Sequence, residues 1–234
     1  MLSVNIKMKT PAADRFIAFA SIAALGMFTL TISFVRAQAF TTASASGSSA
    51  PSYSKTGELL FPSKYREWIY LSSGIDMNYN PKSASVDTPS HSTFDNVFVN
   101  PESYKTFLDS GAWPDKTVLV LELRGAQNKG SINQSGYYQS SVLKGIEMHV
   151  KDETRFPGKW AFFGFDNDND VSGKLIPQSA SCYSCHSEHG AVDTTFVQFY
   201  PTLLGIADKK GTFSPAYRKE LRAAVPAKAD PILR

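Results

Sequence analysis

The stretch SCYSCHSEHG, residues 181–190, constrains this chain more than any other segment. Cys182 and Cys185 are three residues apart, a histidine follows the second directly, and the chain contains no other cysteine. On a helical turn, side chains three positions apart lie on the same side. C-x-x-C-H is the attachment signature of c-type haem, in which the thiols bond to the porphyrin and the histidine coordinates iron. The sequence therefore predicts one covalent haem c on Cys182 and Cys185, with His186 as the proximal iron ligand.

Other uses of a C-x-x-C pair fit this sequence less well. A thioredoxin-like redox pair is expected in a βαβ context, which the neighbouring residues do not show. A structural zinc ion needs four ligands, and only His189 lies near the motif in the sequence. A disulfide that closes so short a loop would add little stability.

The N-terminal residues 1–39 have the pattern of an export signal peptide. Basic residues precede an uncharged apolar run at 16–35, and Ala37 and Ala39 form a small-residue cleavage site. The apolar run is also long enough to span a bilayer, so an uncleaved membrane anchor is the alternative. Both interpretations place the rest of the chain in the periplasm or otherwise outside the cytoplasm, where c-type haem is attached.

The charge balance gives no sign of a nucleic-acid-binding surface. Of the 24 basic and 21 acidic residues, four basic and one acidic lie in residues 1–39, so the rest of the chain carries 20 of each sign. Residues 40–55 are rich in Ser and Ala and predict a flexible linker. Residues 56–210 are predicted to form the haem domain, and residues 211–234 a C-terminal tail with a short helix.

Most of the predicted haem domain has the composition of β-strands. Segments rich in aromatic and β-branched residues predict strands at 66–73, 94–100, 117–125, within 136–152 and at 159–165. The run Asn-Pro-Glu at 100–102 predicts the start of a helix that ends at Gly111. A second helical region is predicted around the cysteines and on through residues 193–204. The expected class is α+β, mostly antiparallel β-sheet with a few helices, and with C-x-x-C-H on a helical segment.

The sequence does not identify a ligand for the side of the iron opposite His186. No methionine follows His186, which excludes the common small-cytochrome layout with a downstream methionine ligand. The candidates for a sixth ligand are Met77, Met148, His91, His149 and His189. An isolated Met or His in a β-rich domain is more often a core or surface residue than a ligand. An open distal position, which binds small ligands or supports chemistry, is therefore the favoured interpretation.

Several segments resemble the cytochrome P-460 family, which includes the cytochromes c′-beta. They are GELLFPSKYREWIYL (57–71), VFVNPESYKTFLDSGAWPDKTVLVLEL (97–123), GIEMHVKD (145–152), KWAFFGF (159–165) and CYSCHSEHGAVDTTFVQFYPTL (182–203). The resemblance covers about residues 55–210. It implies a mostly antiparallel β fold, a homodimer, one covalent haem and a five-coordinate iron with His186 as its proximal ligand.

The resemblance also assigns residues to the open side of the haem. Glu147 matches a family carboxylate near this face, where it would accept protons from hydroxylamine during oxidation; the alternative is an outward strand residue paired with a nearby lysine. In hydroxylamine-oxidising members, a lysine on the strand after the first helix bonds to the haem ring, and here Leu121 stands at that position. Neither Lys116, five residues earlier, nor Lys129, eight residues later, is an easy substitute.

The sequence thus predicts an exported mono-haem c-type cytochrome that binds nitric oxide or a related small nitrogen species at an open distal site. Leu121 makes that site apolar, which favours neutral diatomic ligands over charged intermediates. One alternative is an oxidoreductase that oxidises hydroxylamine with Glu147 as proton acceptor. A further alternative is a six-coordinate electron-transfer cytochrome, and a second cytochrome is the expected redox partner.

Overall fold

The segments rich in aromatic and β-branched residues form one antiparallel sheet. A computed structural model describes residues 49–77 and 92–224 of the chain. The strands in these residues are β1 (Leu59–Leu60), β2 (Ile69–Ile75), β3 (Thr93–Val99), β4 (Val118–Gln127), β5 (Tyr138–Lys151), β6 (Trp160–Phe165) and β7 (Ser172–Leu175). Their order across the sheet is β1-β7-β6-β5-β4-β3-β2, and all neighbours are antiparallel.

Four helices accompany the sheet in the described residues. They are α1 (Pro101–Ser110), α2 (Ser181–His189), α3 (Pro201–Lys210) and α4 (Pro215–Ala224), with 3₁₀ turns at Tyr65–Glu67 and Val197–Phe199. Two of them, α1 and α3, pack on one face of the sheet. The predicted α+β class with a mostly antiparallel sheet is confirmed. The predicted strand at 66–73 begins three residues late, because Arg66 and Glu67 belong to the first 3₁₀ turn.

Alternation along the central strands divides the sheet into two buried faces. Val120 and Met148 point to one face, which we call the N-terminal face because it is covered by earlier residues such as Tyr65. Leu119 points to the opposite face, which we call the helical face, where α1 packs through Phe107 and α3 lies beside it. Each face has its own apolar core, so side chains on the two faces serve different parts of the molecule.

Helix α1 begins and ends where the sequence predicts, but Asn100 has an unexpected partner. Its side-chain oxygen accepts the Val118 N–H at 2.8 Å, and its amide donates to the Lys116 carbonyl at 3.3 Å. Asn100 therefore ties the start of α1 to β4 and does not cap the helix. Gly111 ends α1 with φ of 73°, and a Cβ there would lie 2.6 Å from Cβ of Lys210. Both the backbone and the contact with α3 require glycine.

A loop, residues 190–196, follows α2 and precedes the second 3₁₀ turn. The prediction of a continuous helix through residues 193–204 is therefore wrong for residues 193–196. Asp193 has φ of 52°, which lies outside the right-handed helical region. The backbone N–H groups of Val192 and Thr195 each bond to the carbonyl of the other. This folding turns the loop back toward α2, and we call residues 190–196 the site loop.

Packed structure begins before the end of the predicted linker. The Tyr53 hydroxyl donates to Asp152 at 3.2 Å, and the Tyr53 ring meets Phe156 edge to face with centroids 6.1 Å apart. The predicted export signal, residues 1–39, lies outside the described residues. Within the described ranges, no helix combines the length and the apolar character needed to cross a membrane.

The N-terminal face contains a buried charged cluster around Glu122. This side chain is 4% exposed, accepts a hydrogen bond from the Tyr65 hydroxyl, and pairs with Arg66 at 2.7 Å and Arg124 at 2.5 Å. Burial alone would raise the pKa of Glu122, but the hydrogen bonds from Arg124 and Tyr65, together with the charges of Arg124 and Arg66, outweigh burial and lower the pKa below its ordinary value. The cluster joins the 3₁₀ turn that precedes β2 to the central strand β4.

Candidate functional site

A cavity of about 320 Å³ opens on the helical face of the sheet beside His186. Strands β2 to β6 line it on one side, and the site loop and the second 3₁₀ turn line it on the other. Leu121 and Glu147, the distal residues predicted from the sequence, both line this cavity together with His186. Apolar side chains such as Val97 and Phe199 make up much of the remaining wall.

Strand register explains why Leu121 and Glu147 meet in the cavity. Leu121 pairs with Glu147 on β5 and with Val97 on β3, and paired residues in an antiparallel sheet lie on the same face. Two positions along β5, His149 pairs with Phe162 on β6. The sheet thus presents an apolar, an acidic and an imidazole side chain on the face toward α2.

Helix α2 carries the C-x-x-C-H motif. Cys182 and Cys185 are free, half-buried thiols about one helical turn apart. Tyr183 attaches the helix to the sheet, because its hydroxyl donates to the Ile176 carbonyl at 3.0 Å and accepts the Phe162 N–H at 3.2 Å. The helix has nine residues, and none of them is buried. So short a helix is marginal on its own, and a group bonded to both thiols would add to the packing that Tyr183 provides.

The two thiols differ from a redox-active pair. Burial raises the pKa of Cys182 and of Cys185, and the negative charge of Glu147 raises the pKa of Cys182 further. Redox-active C-x-x-C motifs instead lower the pKa of one cysteine to expose a thiolate. The motif adjoins the cavity, because its histidine, His186, lines the cavity wall.

His186 has the hydrogen bonding expected of an axial ligand. Its Nδ1 lies 2.8 Å from the carbonyl oxygen of Thr194, which can only accept, so Nδ1 carries the proton and Nε2 keeps its lone pair. The ring packs on Phe196 with centroids 4.1 Å apart and against Phe162 at 4.7 Å. Burial lowers the pKa of His186, which keeps the ring neutral. A neutral, fixed imidazole with a free Nε2 fits the coordination of haem iron.

His149 does not lie where a sixth ligand would be needed. Its ring meets His186 edge to face with centroids 5.0 Å apart, so no space for a porphyrin and an iron separates the two rings. Burial lowers the pKa of His149 well below its ordinary value, and the neighbouring His186 adds to this shift. His149 is therefore a neutral neighbour of His186.

The other candidate sixth ligands lie in different places. Met148 is fully buried in the core of the N-terminal face. His189 lies on the outer side of α2 and pairs with Glu220 at 2.5 Å. His91 lies outside the described residues. Met77 lines the cavity at the end of β2 and remains the candidate for this position.

Among the residues that the structure describes, no lysine lines the cavity. Lys116 precedes β4, where its Nζ pairs with Asp152 at 2.5 Å. Lys129 follows the end of β4, and its carbonyl accepts the Tyr138 hydroxyl at 2.9 Å. Leu121 thus stands in the cavity at the strand position that the family resemblance gives to the haem-bonded lysine.

Sequence reasoning missed Asp95, a second carboxylate that lines the cavity. Burial raises the pKa of Asp95 to about 6, and the charges of Asp76 and Glu147 raise it as well. The signal was present in the alternation of β3. Asp95 shares a strand face with Val97 and the buried Val99, so a charged residue stands at an inward position.

A helix with C-x-x-C-H, a neutral histidine with a free Nε2 and an adjoining apolar cavity together define the class of site that binds c-type haem. The family model described as Cytochrome P460 matches residues 62–197, which is more than half of the chain. The chain belongs to the cytochrome P460 family, whose members are haem-containing c-type cytochromes. No curated protein is significantly similar to the chain.

Proposed function

We propose that this chain is an exported cytochrome with one covalent haem c, which binds nitric oxide or a related small nitrogen species at an open distal site. Cys182 and Cys185 hold the haem, and His186 ligates its iron. The iron supplies the bond to the ligand, while the chain supplies the shape and polarity of the site. The observation that carries the proposal is the largely apolar cavity shared by His186 and Leu121.

The lining of the cavity favours neutral ligands. A diatomic gas loses little hydration when it moves next to Leu121 and Val97, whereas an ion loses much more. The carboxylates of Asp95 and Glu147 would also repel an anion that enters the same cavity. Small neutral nitrogen species are therefore preferred over anions such as nitrite.

Titration of the reduced, haem-loaded protein with nitric oxide tests the proposal. We expect saturable binding of one nitric oxide per haem, detected as a change in the haem absorption bands. His189→Phe changes an exposed histidine of the same helix and should bind nitric oxide as the parent protein does. Failure of the haem-loaded protein to bind nitric oxide would contradict the proposed function.

Oxidation of hydroxylamine is a second candidate function, favoured by the two carboxylates in the cavity. The reaction releases protons as well as electrons, so it needs a nearby proton acceptor and an external electron acceptor. Glu147 is exposed to the cavity, and Asp95, with a pKa of about 6, changes protonation close to neutral pH. Both groups line the cavity and would accept protons from a small substrate bound there.

Glu147→Gln separates the two candidate functions. If the protein oxidises hydroxylamine in the presence of an electron acceptor, the variant should lose about 100-fold in kcat, because the proton acceptor is gone. Nitric oxide binding should stay within a few-fold of the parent. Glu102→Gln, an exposed carboxylate on α1, serves as the control. Equal turnover in the parent and in Glu147→Gln would show that Glu147 is not the proton acceptor.

The raised pKa of Asp95 predicts pH-dependent binding of anions. Asp95 is neutral below its pKa of about 6 and negative above it, where Asp76 and Glu147 add negative charge and Lys144 opposes them. We expect the affinity of the oxidised protein for nitrite to fall roughly five-fold from about pH 5 to about pH 7.5. Carbon monoxide, which is neutral, should bind the reduced protein equally well across this range.

Asp95→Asn provides the matched control for this pH effect. The amide keeps the size of the side chain and cannot ionise, so the fall in nitrite affinity should largely disappear. A fall of equal size in Asp95→Asn would assign the pH dependence to another group.

A further inference from the structure

One residue of the site loop, Thr194, contacts both His149, which is buried, and His186, which is partly buried. The Oγ1 of Thr194 lies 3.3 Å from Nε2 of His149, and its carbonyl oxygen accepts the Nδ1–H of His186 at 2.8 Å. His149 is 6% exposed, so its hydrogen bond with Thr194 is shielded from water. Loss of this bond would leave Nε2 of His149 or Oγ1 of Thr194 without a partner, which costs free energy in a buried site. The Thr194 side chain is thus held by one histidine while its backbone holds the other.

Packing against the sheet fixes the position of His149. Its ring stacks on Phe162 with centroids 4.0 Å and planes 8° apart, and it packs on Trp160 at 4.4 Å. Strand pairing between β5 and β6 sets this stack. The site loop, in contrast, is neither helix nor strand. Backbone hydrogen bonds between Val192 and Thr195 close the site loop, and the contact between Thr194 and His149 adds a side-chain constraint on the direction of the Thr194 carbonyl.

We propose that His149 is a positioning residue for the axial ligand, and that it acts through Thr194 to keep the carbonyl oxygen in line with Nδ1–H of His186. This inference rests on the proposed function, in which His186 ligates the haem iron. A strong hydrogen bond at Nδ1 makes the imidazole more basic and Nε2 a better electron donor. A better donor favours oxidised iron, so the contact lowers the reduction potential and strengthens the iron–histidine bond.

Two substitutions remove the same contact from opposite sides. His149→Phe keeps an aromatic ring for the stack on Phe162 and loses the hydrogen bond, and Thr194→Val keeps the branched shape and loses Oγ1. In the haem-loaded, reduced protein, we expect both to lower the iron–histidine stretching frequency in resonance Raman spectra. Both should also raise the reduction potential. In the double variant, the shift in frequency and in potential should be no larger than the larger shift of the two single variants. Each single variant and the double variant lack the same one interaction, so their effects do not add.

Two further variants test whether the effect is specific. His149→Gln retains a group able to bond to Thr194, and it should move both readouts back toward the parent values. His189→Phe, which changes an exposed histidine of α2, should leave them unchanged. Single variants with the parental frequency and potential, or a double variant equal to the sum of the two, would overturn the role of His149. If the parent protein itself shows no iron–histidine band, the proposed function fails instead.

Discussion

Replacement of both Cys182 and Cys185 by alanine is expected to abolish covalent haem attachment. Both thioether bonds require these thiols, and the chain contains no other cysteine. Protein produced in a host that attaches c-type haem should show no haem staining after denaturing electrophoresis, whereas the parent stains fully. Each single variant keeps one thiol and should retain weak staining. The double variant should also be less stable, because α2 has no buried residue of its own.

Ser184→Ala is the matched control for the cysteine variants. Ser184 lies between the two cysteines on the exposed side of α2, and its hydroxyl donates to the Ser181 carbonyl at 3.0 Å. The change leaves the thiols and His186 in place, so staining should equal that of the parent. Full staining of the double cysteine variant would show that the haem is bonded elsewhere and would contradict the site described for α2.

The largest effect on folding is expected for Glu122→Gln. The neutral amide keeps the shape of the side chain but removes the charge that pairs with Arg66 and Arg124. Breaking a buried ion pair costs about 3–5 kcal/mol when the remaining charge is fully buried. The Arg66 side chain is 40% exposed and can regain water, so we expect a loss of about 2–3 kcal/mol in the free energy of unfolding at neutral pH. Urea denaturation measures this loss.

The lowered pKa of Glu122 also predicts how the loss in free energy of unfolding in Glu122→Gln varies with pH. A carboxylate whose pKa is lower in the folded state stabilises the fold above its unfolded pKa, and this contribution disappears as pH falls through the folded pKa. The difference between parent and Glu122→Gln should therefore shrink in acid. Asp168→Asn removes the outer partner of Arg66, and because both of those side chains are 40% exposed, it should cost less than about 0.5 kcal/mol. If the difference in free energy of unfolding between the parent and Glu122→Gln grew in acid, the lowered pKa of Glu122 would be contradicted.

Local patterns predicted most of the sheet because each strand carries its own signal. The alternation of Val and Leu along β4 and the aromatic run of β6 correspond to buried, pleated surfaces. The start and end of α1 follow from a proline at its first position and Gly111 after its last. Part of the site loop was predicted as helix because its folding depends on tertiary contacts: the Thr194 carbonyl accepts from His186 on α2, and Asp193 pairs with Lys151 on β5.

The candidate site was predictable where a motif encodes it and hidden where tertiary pairing creates it. Cys182, Cys185 and His186 follow from spacing alone. Leu121 and Glu147 came from the family resemblance, and the register of β4 and β5 brings them together. Sequence reasoning named His149 only as a possible ligand, because nothing local shows that its ring lies against His186. Asp95 was overlooked although the alternation of β3 places it on the same strand face as the buried Val99.

The visible spectrum of the reduced protein, before and after addition of carbon monoxide, tests the central claim most directly. An open distal site beside Leu121 predicts a high-spin spectrum with an ordinary c-haem band that shifts when carbon monoxide binds. A low-spin spectrum that carbon monoxide leaves unchanged would contradict the claim and make Met77 the first candidate for a sixth ligand. A strongly red-shifted band in the parent protein would contradict it in another way, because it would reveal a bond between a lysine and the haem ring.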